Sequence, residues 1–197
     1  VYKNNMLTKT DKKGKTTTFV YDNEGKYGPK SAQLVKEIDP LGNELIYDYY
    51  TNEAGIKLKG LVKKVTEKRR VDQDNPKSEL IDFKVTEYKY DDPYNNRTQI
   101  IDTLGNHTYE KYDAAGRLES ITNAREYTTK YIYDNNDRIK VEEVFPKADE
   151  AKILKRTISI YDNVGNKRYV TSERFAADRP DYPTDDLTTE TVYDRNN

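Results

Sequence analysis

DTLGNHTYEKYDAAGR, residues 102–117, contains two Asp-x-x-Gly units whose aspartates, Asp102 and Asp113, stand eleven residues apart. Asn106 closes the first unit and Arg117 the second, and Tyr112 stands immediately in front of Asp113. Aspartate is favoured at the first position of a type I turn and glycine at the fourth, and a type I turn followed by a left-handed residue makes a compact hairpin loop with a bulge. The aspartate side chain can also accept from backbone N–H groups two residues on. Four turn residues leave about seven for a strand, or ~23 Å at ~3.3 Å per residue. Strand and turn in alternation predict an up-and-down antiparallel meander. Between the two turns Asn106, Thr108, Glu110 and Tyr112 share one face, and His107, Tyr109 and Lys111 share the other. Neither face is purely apolar, which suits a sheet wetted on both sides, or one lining a wide wet cavity, better than a packed sandwich.

The same phrase runs outward in both directions, and self-similarity at a fixed period is the mark of a repeat architecture. Asp11, Asp22, Asp39, Asp102, Asp113 and Asp162 open clear copies, with Gly14, Gly25, Gly42, Gly105, Gly116 and Gly165 three places later. Tyr21 and Tyr161 precede Asp22 and Asp162, and Asn43 and Asn166 follow their glycines. Degenerate copies keep the register. From Asp39 the expected tyrosines fall at Tyr47 and Tyr49, with Tyr50 in the aspartate slot. Asn123 replaces an aspartate, Tyr131 and Tyr133 stand where expected, and Asp134 begins a unit whose glycine has become Asp137, before Arg138. Tyr88, Tyr90 and Asp91 open another, whose turn reads DDPYNNR over 91–97.

Four places depart from the spacing and read as hairpins lengthened at the tip: 26–32, 51–87 with DQDNPKS at its centre, 146–152 and 176–186. Insertions at exposed turns are thermodynamically cheap, so residues 1–197 are expected to form a single array without separate domains. A short helical turn fits within 147–153; no other helix is expected. Val1 falls in an aspartate slot, and Tyr193-Asp194 opens a copy that stops before its glycine. Both ends thus lie inside the motif, which makes an excerpt of a longer repeat protein the expectation.

Composition supports a folded chain. Hydrophobic residues are 34% and charged residues 35%, but the net charge is only -1 and there are 18 tyrosines. Disordered chains pair low hydrophobicity with high net charge and few aromatics, and only the first condition holds here. Each tyrosine can bury ~150–250 Å² while keeping its hydroxyl wet, so tyrosine supplies a core where leucine is scarce. The absence of cysteine excludes disulfides, thiolate nucleophiles and Cys-based zinc sites. No apolar run reaches the ~20 residues of a membrane span, and residues 1–20 carry no signal-peptide pattern. Near-neutral charge argues against a nucleic-acid partner.

The segment from Asp102 to Leu118 resembles the YD-repeat or Rhs (rearrangement hotspot) family, whose pattern runs approximately Asp-x-x-Gly-Asn-x-x-x-Tyr-x-Tyr-Asp-x-x-Gly-Arg-Leu, with Glu110 in place of the first tyrosine. Asp11 to Lys26, Asp39 to Tyr49, Asn123 to Arg138, Tyr161 to Asn166 and Tyr193-Asp194 match in part. The resemblance implies an all-β fold in which hairpins spiral into a large hollow shell. In Rhs proteins, Tc toxin B and C components, bacterial wall-associated contact toxins and teneurins, that shell is a scaffold. In the bacterial members it commonly encloses a variable C-terminal toxin, with a self-cleavage point at an Asp-Pro-rich motif. Asp39-Pro40-Leu41-Gly42 superficially resembles that motif, but another repeat follows it, and it reads as an ordinary turn.

Catalytic chemistry has little to stand on. A single histidine, His107, removes His-His metal pairs and the Ser-His-Asp triad, and reads as a mid-strand surface or cavity-wall residue. No carboxylate pair is distinguished by spacing, which weakens two-carboxylate glycosidase chemistry. Asp72-Gln73-Asp74-Asn75 faintly suggests a calcium loop, but Lys77 stands where glycine belongs and Phe83 where glutamate belongs, so a solvated tip is the better reading. KKVTEKRR, 63–70, is the one basic cluster and reads as a solvated hairpin whose lysines deter edge pairing. The expectation is a structural segment of an Rhs-type shell, with no catalytic, cofactor or metal residues. Its partners are the rest of the parent polypeptide and the enclosed effector, and its location is secreted or cell-surface with any signal outside the segment. The alternative is a module that binds a cell-surface carbohydrate through its tyrosine-rich faces.

Overall fold

The computed structural model describes residues 6–27, 33–51, 58–75, 77–176 and 179–191. Val1, Tyr193 and Asp194, placed in the repeat by sequence, lie outside the described residues, as do the tips of two lengthened hairpins at 28–32 and 177–178. Among the described residues the chain is all β, with fourteen strands and no helix. It forms two compact units, 1–107 and 108–197.

The first unit holds β1 (Thr8–Thr10), β2 (Thr16–Tyr21), β3 (Leu34–Ile38), β4 (Glu44–Tyr49), β5 (Val62–Arg70), β6 (Leu80–Lys89) and β7 (Gln99–Ile101). Each pairs antiparallel with the next. The second continues with β8 (His107–Tyr112), β9 (Leu118–Thr122), β10 (Tyr127–Tyr133), β11 (Ile139–Pro146), β12 (Lys155–Tyr161), β13 (Lys167–Ala176) and β14 (Arg179–Glu190), paired in the same way. Strand order is chain order in both units, so each is the open antiparallel meander that the turn spacing predicts.

Burial is spread thin. Among the described residues Tyr27, Leu58 and Phe145 are the buried hydrophobics, and no side chain is wholly enclosed. Strands β3, β4 and β9 are half-buried at every position, where a sandwich would show alternation between sealed and wet.

The ladders reveal a regularity that the eleven-residue spacing hides. One residue is looped out just past five of the turns: Val35, Lys63, Glu119, Lys140 and Arg168. Each lies opposite the step into a tyrosine, namely Tyr21, Tyr49, Tyr112, Tyr133 and Tyr161. Turns with no leading tyrosine lack it: Thr10 pairs Thr16, Ile38 pairs Glu44 and Thr122 pairs Thr128 with no interruption. Successive turns of a meander lie at opposite ends of the strands. Within each unit, therefore, the tyrosine-led, bulged turns share one margin, which in the first unit also carries the unbulged Asp92 turn after β6. The structural repeat is a pair of strands, and each eleven-residue phrase is half of it. A bulge sharpens local right-handed twist and bends its strand, so each tyrosine-led turn carries that distortion beside it; further register shifts fall at Glu67/Lys68 in β5 and around Phe175 in β13.

Three expectations are corrected. The helical turn within 147–153 is instead two successive hydrogen-bonded turns, Asp149 N to Pro146 O at 3.0 Å and Lys152 N to Asp149 O at 3.2 Å; residues 147–151 are exposed, and so short a segment with no buried face does not propagate a helix. The region 51–87 is not one lengthened tip. A widened turn after Tyr50 closes through Tyr50 N to Leu61 O at 2.9 Å, after which β5 and β6 form a long hairpin of their own with its tip at 71–79. In 176–186 the added length goes into the ladder, which continues with register shifts to Ala176 opposite Arg179.

Candidate functional site

The repeated turn is the chain's one recurring constellation, and its geometry is nearly invariant. In each five-residue copy, bulged or not, the aspartate or asparagine N–H donates to the carbonyl four residues on, and its own carbonyl accepts from the N–H three residues on; in the Asp113 copy these are Asp113 N to Arg117 O and Gly116 N to Asp113 O, both 2.9 Å. The side chain completes the loop. Asp113 Oδ1 accepts from Ala115 N and Arg117 N, both at 2.9 Å. Asp11, Asp39, Asp102, Asp134 and Asp162 do the same, and Asn123 does so with its amide oxygen. The residue in the glycine slot takes positive φ: Gly14, Gly42, Gly105, Gly116 and Gly165, and also Glu126 and Asp137 where glycine is missing.

The second carboxylate oxygen explains why asparagine or arginine follows. Asn43, Asn106 and Asn166 donate their side-chain N–H to Oδ2 of Asp39, Asp102 and Asp162 at 2.8, 2.9 and 3.3 Å. Arg117 and Arg138 donate Nε to Oδ2 of Asp113 and Asp134, both at 2.7 Å. Asn43 also reaches past its own turn, its Oδ1 accepting from Arg70 N at 3.0 Å, and arginine, with more nitrogens, reaches a neighbouring turn in each of its copies. Arg117 pairs Asp137 at 2.5 Å in the next turn on the same margin, and its guanidinium carbon lies 4.5 Å from the centre of the Tyr133 ring. Arg138 repeats this one step on, with Nη1 3.4 Å from Asp162 O and its guanidinium carbon 4.5 Å from the Tyr161 ring centre.

Each tyrosine answers. Tyr133 OH donates to Leu118 O at 2.8 Å and Tyr161 OH to Ile139 O at 2.8 Å, both carbonyls belonging to the residue just after the arginine. Tyr49 OH donates to Leu34 O at 2.6 Å in the first unit. The leading tyrosine of one turn is thus clasped by the preceding turn on its margin, through ring and hydroxyl together. This is the physical content of the Tyr-Asp-x-x-Gly-Arg-Leu phrase.

The remaining motif residues fall as follows. Tyr50 occupies the aspartate slot, donates OH to Tyr88 O at 2.9 Å and meets the Tyr90 ring edge-on. Tyr47 OH donates to Glu37 at 2.9 Å, and Tyr112 OH to Glu110 at 3.2 Å. Tyr21 and Tyr131 stand half-buried in β2 and β10. Asp22, with Gly25 at positive φ, heads a widened turn closed by Asp22 N to Gln33 O at 2.9 Å; its carboxylate accepts from the N–H groups of Glu24, Gly25 and Tyr27. Asp91 is corrected to Asp92: Asp92 Oδ1 accepts from Tyr94 N and Asn96 N, Asn96 returns to Oδ2, and Asn95 takes positive φ. Proline favours the second turn position, and Pro93 marks Asp92 as the first, just as Pro40 follows Asp39. His107 opens β8 rather than lying mid-strand; it is exposed, with Nδ1 2.6 Å from Gln99 Nε2.

Electrostatics follow the turns. The Asn106 amide holds the Asp102 carboxyl below the usual carboxylate range, and Arg117 and Arg138 do the same to Asp113 and Asp134. Burial, with help from Glu37, pushes the Tyr47 and Tyr49 phenols up. The basic cluster is partly neutralised in place, Lys68 by Asp82 at 3.0 Å and Arg69 by Glu67 at 2.7 Å. In the calcium-like tip, Asp72 Oδ1 is occupied by Asp74 N. Among the described residues no group of three or more His, Cys, Asp or Glu could hold a metal ion, and no helix is long and apolar enough to cross a membrane.

Fold and turn together define a class, that of hairpin-repeat meanders built on an aspartate-anchored turn. Residues 112–148, which contain one complete arginine–tyrosine clasp, match the family model of the RHS repeat. Solved structures similar to the chain include a Photorhabdus luminescens Tc holotoxin pore with a TccC3 mutation (13% identity, TM-score 0.37). A TcdB2-TccC3 crystal structure is also similar (14% identity, TM-score 0.36). In both cases the match covers 87% of this chain and 12% of the other, so the chain spans about an eighth of their length. No curated protein matches in sequence.

Proposed function

We propose that the chain is a structural scaffold segment, one stretch of a single repeat array forming part of the wall of an Rhs-type shell. The shell encloses and helps deliver a C-terminal toxin or effector polypeptide, on a secreted or cell-surface protein. The segment performs no chemistry. The observation that carries this reading is that the side chains of the repeat are committed to one another: turn aspartates to backbone N–H groups, arginines to the next turn, tyrosines to the carbonyl beyond it. A motif retained for catalysis would leave reactive groups facing a cleft, whereas this one closes hairpins and joins them to their neighbours. Contacts to nearest neighbours alone let such an array be extended indefinitely.

The test is limited proteolysis with mass spectrometry on the natively purified full-length parent. A C-terminal fragment that is cleaved from the chain yet co-purifies and resists protease is the expected result. A fragment that is freely digested, or none at all, overturns the reading.

A further inference from the structure

A cavity of about 350 Å³ opens on one face of the second unit. The ladders build it in two rows. Tyr109, Thr122, Thr128 and Phe145 stand side by side across β8 to β11, with Phe145 buried as the floor. Lys111, Ser120 and Lys130 form the adjacent row, which sets the two lysine Cα atoms about 10 Å apart, twice the strand spacing. From beyond Phe145, Lys147 reaches back to stand 5.4 Å from the Tyr109 ring centre and is held by Glu126 at 2.7 Å.

The charges are unequally satisfied. Glu143, which pairs across the ladder with Lys130, is taken by Arg156 at 2.9 Å. Among the described residues Lys111 and Lys130 have no hydrogen-bond or ion-pair partner, and neither do Glu119 and Glu150 on the same rim. Glu119 is there because it is the residue looped out by its bulge. Two free ammonium groups, two free carboxylates, the Ser120 and Thr hydroxyls and an aromatic wall and floor thus converge on one hollow. Its volume lies at the low end of the ~300–1,000 Å³ of small-ligand sites, which combine apolar lining with a few placed polar groups.

We infer that this cavity binds an acidic sugar, the carboxylate lying between Lys111 and Lys130, the hydroxyls on Glu119, Glu150 and the Ser/Thr row, and an apolar ring face against Tyr109 and Phe145. A ligand that were merely anionic would gain from the lysines but be repelled by the two glutamates, so an acidic peptide fits worse. A neutral sugar would leave the lysines unanswered. The site is independent of the scaffold reading, since neither clasp nor turn aspartates enter it.

The experiment is an amide chemical-shift titration of the 197-residue chain with methyl β-glucuronide and with N-acetylneuraminic acid, alongside methyl β-glucoside and triglutamate. Saturable shifts confined to residues around Tyr109, Thr122, Thr128 and Phe145, from at least one acidic sugar, are expected. Lys111→Gln at an exposed position and Lys130→Gln at a half-buried one, neither changing a ladder hydrogen bond, should each weaken that binding about tenfold, the loss of one charge-assisted hydrogen bond. Absence of saturable shifts with both acidic sugars, equal binding of the neutral glucoside, or preference for triglutamate would each overturn the inference. Binding that survives both lysine changes, in variants whose spectra show the native fold, would do so as well.

Discussion

Gly42 and Gly116 hold the same turn position with the same φ of 79°, yet they are not equivalent. A Cβ on Gly116 would meet nothing, whereas on Gly42 it would sit 2.6 Å from Arg70 Nε. Gly116→Ala should therefore cost only the left-handed strain, about 1 kcal/mol. Gly42→Ala should cost more, because Arg70 must leave the seat from which it bonds Ser78 O at 2.6 Å. Urea unfolding of the two variants checks this, and equal losses would show that Arg70 is not seated against the turn. The tyrosines divide in the same way. Tyr133→Phe removes the hydroxyl bond to Leu118 O and should lose about 1 kcal/mol, or ~2–4 °C in Tm for a chain of this size. Tyr131→Phe, where no hydroxyl bond is made, should fall within about 0.5 kcal/mol of the parent. Thermal melts of both variants against the parent would reveal whether the clasp bears on stability. Sequence alone separates the glycines no better than the tyrosines, since Arg70 lies 28 positions beyond Gly42 and Leu118 lies 15 before Tyr133.

At the level of the hairpin, the turns tie stability to pH. The Asp102, Asp113 and Asp134 carboxyls are held below their ordinary range only when folded, by Asn106, Arg117 and Arg138. Their contribution is complete above about pH 4 and is lost as pH falls through the lowered values. The Tyr47 and Tyr49 phenols are raised by burial, so their protonated form is favoured in the fold and that contribution is lost as pH rises past about 10. Urea midpoints across pH should show a plateau falling at both ends. The double change Asp113→Asn, Asp134→Asn should flatten the acid limb; an unchanged limb would mean these turns do not report on folding. The hairpins themselves were largely legible in sequence, because Asp-x-x-Gly is a local signal whose partners lie within four residues. What escaped depends on pairing across strands. The bulges at Glu119 and Lys140 exist only in the ladder, and doubled aspartates at 91 and 92 hid a one-residue shift that Pro93 would have resolved. Tyrosine precedes Asp22, Asp113, Asp134 and Asp162 but not Asp11, Asp39 or Asp102, and only the ladders show the bulge that goes with it.

For the whole molecule, open meanders face the hazard of exposed strand edges, which invite pairing with other chains. β1 is exposed at all of its residues, and among the described residues it pairs with β2 alone. Sedimentation velocity over a range of concentrations should show the 197-residue chain associating as concentration rises; a monomer that persists to high concentration and melts high would count against edge pairing. The two kinds of turn carry a further consequence, one of parity. Because the clasp joins a tyrosine-led turn only to the next one on its own margin, a strand gained or lost singly would send every later tyrosine to the opposite margin and break the clasp that spans the change. Strands gained or lost in pairs leave the sequence in phase. A protein built this way keeps every clasp only when it grows or shrinks in even steps, and its hairpin tips, where length changes without altering the count, are where variation can accumulate freely.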